Sequence, residues 1–184
     1  MKLRSFIRLF VLALCLLPAS AFGQIPPPRP QVVSLCDLLK DPKAFSGKNI
    51  QIRGTIDSKF EIFNIYDDSC APSGSLGIWL MFGGDVDCPT PSTWNDVNRP
   101  KGKDVKFDGV EYSLVKDGSF SKFYKAIAWR KNKNAVYPVT ATLEGTFFAG
   151  DTEKPMASYG HLGCCHLFII HQISRVDLQK KPRA

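Results

Sequence analysis

Apolar and polar residues alternate along much of this chain, and the alternation gives way to a helical period or to proline and glycine between the alternating stretches. Ile50, Ile52 and Ile56 alternate with Gln51, Arg53 and Thr55, the pattern of a strand with one buried and one wet face. Gly54 stands where the next apolar residue would fall, and a glycine inside a strand marks a bulge or a bend. A second strand is expected from Phe60 to Tyr66. A third, Gly77 to Phe82, is apolar on both faces and belongs in the middle of a sheet. Val136 to Phe148 alternates again through Val139, Ala141, Leu143 and Gly145, and a last strand runs from Cys164 to Val176 around Leu167-Phe168-Ile169-Ile170.

Two helices interrupt the strands. Ser34 caps a short one with Leu35, Leu38 and Leu39 on one face, ended before Pro42. Ser119 caps a longer one, in which Phe120, Phe123, Tyr124, Ile127 and Ala128 recur with the spacing of a buried face. Asp108-Gly109 between Val105-Lys106-Phe107 and Val110-Glu111-Tyr112 predicts a two-residue hairpin, because both turn residues must take positive φ. The stretch from Gly83 to Asp104 has no period and holds Pro89, Pro91 and Pro100, so it reads as a long loop. Three strands, a helix and two further strands are the element order of an OB barrel. The fold expected is mainly β: a small five-stranded OB-like barrel with a short N-terminal helix, a hairpin insertion and one helix between strands 3 and 4. The glycines at 54 and 145 suit the strong coiling of so small a barrel. An opened β-sandwich of the same elements is the rival architecture.

The N-terminus reads differently. Lys2, Arg4 and Arg8 precede an apolar run from Leu9 to Leu17, and Ala19-Ser20-Ala21 follows as a small-residue cut site. These are the parts of a secretory signal. The run is about half of the roughly 20 residues that a membrane span needs. The expected organisation is therefore a signal over 1–21, a proline-rich leader over 22–33, the barrel over 34–178 and a polar tail over 179–184. No transmembrane segment is expected after cleavage, and the protein is expected in the periplasm or outside the cell.

Removing Lys2, Arg4 and Arg8 lowers the formal charge from +7 to +4, too little to imply a nucleic-acid partner. The distribution says more: residues 99–133 hold ten Lys/Arg against four Asp/Glu, so this one segment carries the whole positive excess. Five cysteines remain, Cys36, Cys70, Cys88, Cys164 and Cys165, and an oxidising compartment makes them disulfide candidates with one left over. Cys164 and Cys165 are neighbours and point to opposite faces of a strand, so they are expected to have different partners.

Leu38 to Lys48 running into Ile50 to Gly54, Ile78-Trp79-Leu80 shortly after Asp68-Ser69-Cys70, and the turn Tyr159 to Gly163 carry a resemblance. Across most of the mature chain the sequence resembles exported bacterial proteins, Acidobacteria-like, with an OB-like barrel. The resemblance implies fold and compartment and brings no activity with it.

Two places invite a ligand. On the second helix, Lys122, Lys125 and Trp129 fall opposite the apolar face, and with Lys101, Lys103 and Lys106 nearby they form a platform for an aromatic or anionic ligand. A plain solvated surface, or a face covered by the hairpin, accounts for the same residues. Near the C-terminus, His161, Cys164 and His166 bring imidazole and thiol together, with His171 and Cys165 close in sequence, as a zinc or copper site would. Only one segment supplies them, whereas structural zinc sites use paired ligands from two, and export favours oxidised cysteines. Ser158, His161 and Asp151 lack the motif of a serine hydrolase, and Asp85-Val86-Asp87 lacks the further oxygens of a calcium loop. The reading of the whole is an exported, non-catalytic binding module without a cofactor, whose ligand is a small anion, a glycan or a protein surface. The ligand surface expected is the open face of the barrel with the basic segment 99–133, through Lys122, Lys125, Trp129 and His161; the alternative is a metal-binding protein using His161, Cys164 and His166.

Overall fold

Eight strands and three helices form in the computed structural model, which describes residues 29–59, 62–70, 77–86, 105–128, 139–151, 158–160, 163 and 165–178. The expected signal over 1–21, most of the expected leader and the expected tail lie outside these residues. In chain order they are β1 (Gln31–Val32), α1 (Leu35–Lys40), α2 (Pro42–Phe45), β2 (Asn49–Lys59), β3 (Ile62–Tyr66), β4 (Ile78–Phe82), β5 (Val105–Phe107), β6 (Val110–Tyr112), α3 (Gly118–Ile127), β7 (Val139–Phe148) and β8 (His166–Leu178).

β2, β3, β4, β8 and β7 pair in that order, and β7 returns to β2, so five strands close into a barrel. All neighbours are antiparallel except β4 and β8, which run parallel. This is the strand order expected of an OB barrel, with α3 between the third and fourth barrel strands as predicted. The alternating isoleucines of β2 do face inward: Ile50, Ile52 and Ile56 are buried with Phe63, Phe82, Leu143 and Phe168 in one core. β4 is buried almost throughout, as its two apolar faces require.

The mid-strand glycines serve close approach. A methyl on Gly54 would collide with Leu35 Cδ1 of α1 and lie 2.7 Å from Ile65 Cγ1. A methyl on Gly145 would overlap the carbonyl oxygen of Ile169, where the β7–β8 register shifts. Two such shifts leave His171 and Ser174 as extra residues on β8. The inward residues of that strand are accordingly Phe168, Ile170, Ile173 and Val176, no longer a strict alternation.

Local chemistry explains the ends of the elements. Ser34 Oγ accepts from the Asp37 amide at 3.0 Å, which starts α1 as predicted. The start of α3 differs from the prediction: Asp117, not Ser119, is the cap, its carboxylate accepting from the Phe120 amide at 2.9 Å. Aspartate caps as well as serine and adds a negative charge at the positive end of the helix, so the earlier start wins. Phe123 and Ile127 enter the core, Phe120 and Tyr124 pack on Phe82, and Ser58 Oγ of β2 donates to the Ile127 carbonyl at 2.8 Å. The Asp108-Gly109 hairpin forms with φ of 48° and 80°.

The sheet begins three residues before the expected barrel boundary at Ser34. β1 pairs parallel to β2, and Val33 is buried in the core. A disulfide joins Cys36 to Cys70, with Cα atoms 5.5 Å apart. No helix among the described residues is long and apolar enough to cross a membrane.

Candidate functional site

The wet sides of β2, β7 and β8 come together on one outer wall of the barrel. Their register sets three rows across the strands: Gln51, Glu144 and Gln172; Arg53, Thr142 and Arg175; Thr55, Thr140 and Asp177. Side chains bond along and between the rows. Gln51 Nε2 donates to Glu144 Oε1 at 2.9 Å, and Arg53 Nη1 donates to Thr142 Oγ1 at 3.0 Å. Arg53 also pairs with Asp177, which accepts in addition from Arg175 Nε. The hydrogen bond from Arg53, followed by that from Arg175, holds the Asp177 carboxyl below the usual carboxylate range.

Two hollows open on this wall. One, of about 540 Å³, runs between Val32–Leu35 on one bank and Tyr66, Asp67 and Asp68 on the other, over Gln51, Arg53, Thr55, Thr140 and Thr142. The Cys36–Cys70 disulfide joins the segments that form its two banks. The other, of about 410 Å³, lies between Glu111 and Tyr112 of the hairpin and Asn49, Glu144, His171 and Gln172. Here the ring of Tyr112 stacks on His171 with centroids 5.5 Å apart and planes 23° apart. His171 Nε2 lies 3.3 Å from Thr146 Oγ1, and burial lowers its pKa, which favours the neutral ring. Burial, and then the charge of Asp108, raises the pKa of the Tyr112 phenol.

Of the residues proposed from sequence, the described ones, Lys122, Lys125 and His166, fall elsewhere. Lys122 and Lys125 are exposed on α3, but Lys122 Nζ donates to the Val176 carbonyl at 2.8 Å and so fastens the helix to β8. Lys116 likewise donates to the Asp85 carbonyl at 2.7 Å. Two of the four described lysines of the basic segment thus hold backbone oxygens. Lys101, Lys103, Trp129, His161, Cys164 and Cys88 lie outside the described residues. The hairpin docks on the outside of β7 and β8, through Phe107 on Phe148 and Tyr112 on His171.

Of the metal set only His166 is described. It is buried against Phe147 at an end of the barrel, and its Nδ1 accepts from the Gly150 amide at 2.9 Å. That bond uses the one lone pair of a neutral imidazole and leaves the proton on Nε2, so this ring as placed has no nitrogen free for a metal. Among the described residues no group of three or more His, Cys, Asp or Glu is arranged to hold a metal ion. Cys165 is disulfide-bonded, and it is buried with Trp79, Leu167 and Ile169 against Tyr159.

Sequence reasoning identified Gln51, Arg53 and Thr55 as a wet face but missed the wall. The missed signal is on β8, where apolar residues at 170, 173 and 176 have a period of three, which a strand accommodates only by bulging. Comparison with protein-family models, with curated proteins and with solved structures finds no match.

Proposed function

We propose that this is an exported binding module with no catalytic step of its own, and that its ligand lies along the outer wall of β2, β7 and β8. The observation that carries this reading is a track of polar side chains bonded across the strands, with one hollow over Gln51 to Thr55 and a second beside Asn49, Glu144 and Gln172. The track from Asn49 to Thr55 is about 20 Å long at the rise of a β-strand. Its side chains are held by neighbours on a sheet, so little ordering remains to oppose binding. Export is supported by the signal-like N-terminus and by the disulfide, which persists in an oxidising compartment. The resemblance to exported Acidobacteria-like proteins agrees with this placement.

The wall, rather than the basic helix, is the better ligand surface because Lys122 is engaged with Val176. The test is a ligand array on the secreted protein. Wild type is compared with Gln51→Ala/Arg53→Ala on the wall and with Lys125→Ala/Trp129→Ala on and beyond the helix. Ligands retained by the second variant and lost by the first support the wall. The opposite result returns the site to Lys125 and Trp129.

A further inference from the structure

Resting on the wall reading, we infer that the ligand is an uncharged, extended oligosaccharide. The cations of the wall stand among acids: Arg53 and Arg175 share the carboxylate of Asp177, and Glu144 lies in the adjoining row. Among the described residues, Asp67, Asp68, Glu111 and Glu144 line the two hollows, against the single arginine Arg53. An anionic ligand, whether nucleic acid, phosphate or uronate, would meet more negative than positive charge. This turns the chemistry away from the anion that the composition of residues 99–133 suggested.

A polypeptide is disfavoured for a different reason. Peptides are commonly held by an open strand edge or by apolar side-chain pockets. β7, the middle strand of the wall, is paired with both β2 and β8, so the wall is a face of side chains and strand edges lie only at its rims, where β1 covers β2 at Ile50 and Gln51 and β4 covers β8 as far as Ile170. Its side chains are amide, carboxylate, guanidinium and hydroxyl.

Those groups suit a polyol. A sugar hydroxyl is at once donor and acceptor, and neighbouring hydroxyls meet a planar group at two points. Glu144 and Asp177 accept, Arg53 donates, and Gln51 and Gln172 do both. The Tyr112–His171 stack at one end adds an aromatic surface on which the C–H face of a sugar ring can lie, with the burial that aromatic contact supplies.

The experiment is an amide-shift titration of the secreted full-length protein with cellohexaose, chitohexaose and xylohexaose. A uronate hexamer and hexalysine serve as charged comparisons. The expected result is that at least one neutral hexasaccharide shifts amides of β2, β7 and β8, with little dependence on salt. Gln51→Ala and Tyr112→Ala each then weaken binding about tenfold, the scale of one lost hydrogen bond to a charged group or one aromatic contact. If the uronate or hexalysine shifts the wall and no neutral sugar does, the ligand class is overturned and the wall stands. If the probes that bind shift α3 and leave the wall unmoved, both readings fall. A wall silent to all three neutral hexasaccharides overturns the inference.

Discussion

Removing the Cys36–Cys70 bridge loosens the protein by an amount that its place in the chain sets. The two cysteines are 34 residues apart. Closing a loop of that size in the unfolded chain costs about 12–13 cal/mol/K, or about 4 kcal/mol at 25 °C, and the unfolded state of the Cys36→Ser/Cys70→Ser variant regains this freedom. The folded state keeps most of its contacts, because Leu35 and Leu38 of α1 remain buried in the core whether or not the bridge is present. The expected loss is therefore about 4 kcal/mol, which for a domain of this size lowers Tm by roughly 10 °C. The variant is to be secreted into an oxidising compartment and unfolded in urea beside wild type. Because the unbridged unfolded chain is more expanded, the m-value should rise as the midpoint falls. A stability loss below about 1 kcal/mol with an unchanged m-value would refute the loop-closure account. The same variant probes the groove, since the bridge ties its two banks. Ligand affinity should fall in the folded variant at temperatures well below its Tm.

Further outcomes follow from other contacts. Burial lowers the pKa of both His166 and His171, so the unfolded chain takes up protons that the folded one resists. Stability is then full above the ordinary value of about 6.5 and falls as pH drops below it, by at most about 1.4 kcal/mol per pH unit for each ring. Urea midpoints between pH 7.5 and 5 check this, and His166→Gln should reduce the slope; an unaltered slope would count against the assignment. Gly145→Ala should cost more than Gly54→Ala, because the obstacle at 145 is the backbone oxygen of Ile169 while the closest atom at 54 is the terminal carbon of Leu35. Overpacking of this kind costs about 1–3 kcal/mol, measurable by thermal unfolding. Lys122→Met should cost about 1 kcal/mol through its bond to Val176, whereas Lys125→Met should stay within about 0.5 kcal/mol.

Much of the barrel was legible because its signals are local. The isoleucines of β2, the two apolar faces of β4 and the Asp108-Gly109 turn each state their own geometry. Gly54 and Gly145 suggest bends; the register shifts beside Gly145 but runs unbroken through Gly54, and the atoms that crowd the two, from α1 and β8, belong to other elements. The site was less legible because it depends on register. Gln51 meets Glu144 only because 93 residues later β7 pairs back onto β2, and Arg53 reaches Asp177 only across β7. The basic segment is hard to read for a related reason. Charge counts report where lysines are, and the acceptors of Lys116 and Lys122 are backbone carbonyls that no composition reveals. The start of α3 turned on a choice between two good caps two residues apart.

The position of the open wall follows from what covers the rest of the barrel. OB barrels commonly bind ligands on the face of their second and third strands, here β3 and β4. On this protein the outside of β4 carries Trp79 and Met81, and the adjoining outside of β8 carries Leu167 and Ile169. Left bare, these side chains would form a continuous apolar patch. They are instead packed with Phe107 and Tyr112 of the hairpin and with Tyr159, and Gly160 lies so close to the Trp79 ring that a methyl there would be 2.8 Å from it. The usual face is therefore occupied by the protein's own insertion. The same hairpin places Tyr112 against His171 and Glu111 at the rim of the second hollow. One insertion thus closes the apolar face and builds one end of the polar one. Shortening the hairpin should accordingly expose Trp79 and remove the aromatic end of the wall together, giving a red-shifted tryptophan emission and a loss of ligand in the same variant. Retention of full affinity after exposure of Trp79 would separate the two roles and confine the ligand to the groove between the Val32–Leu35 segment and Tyr66.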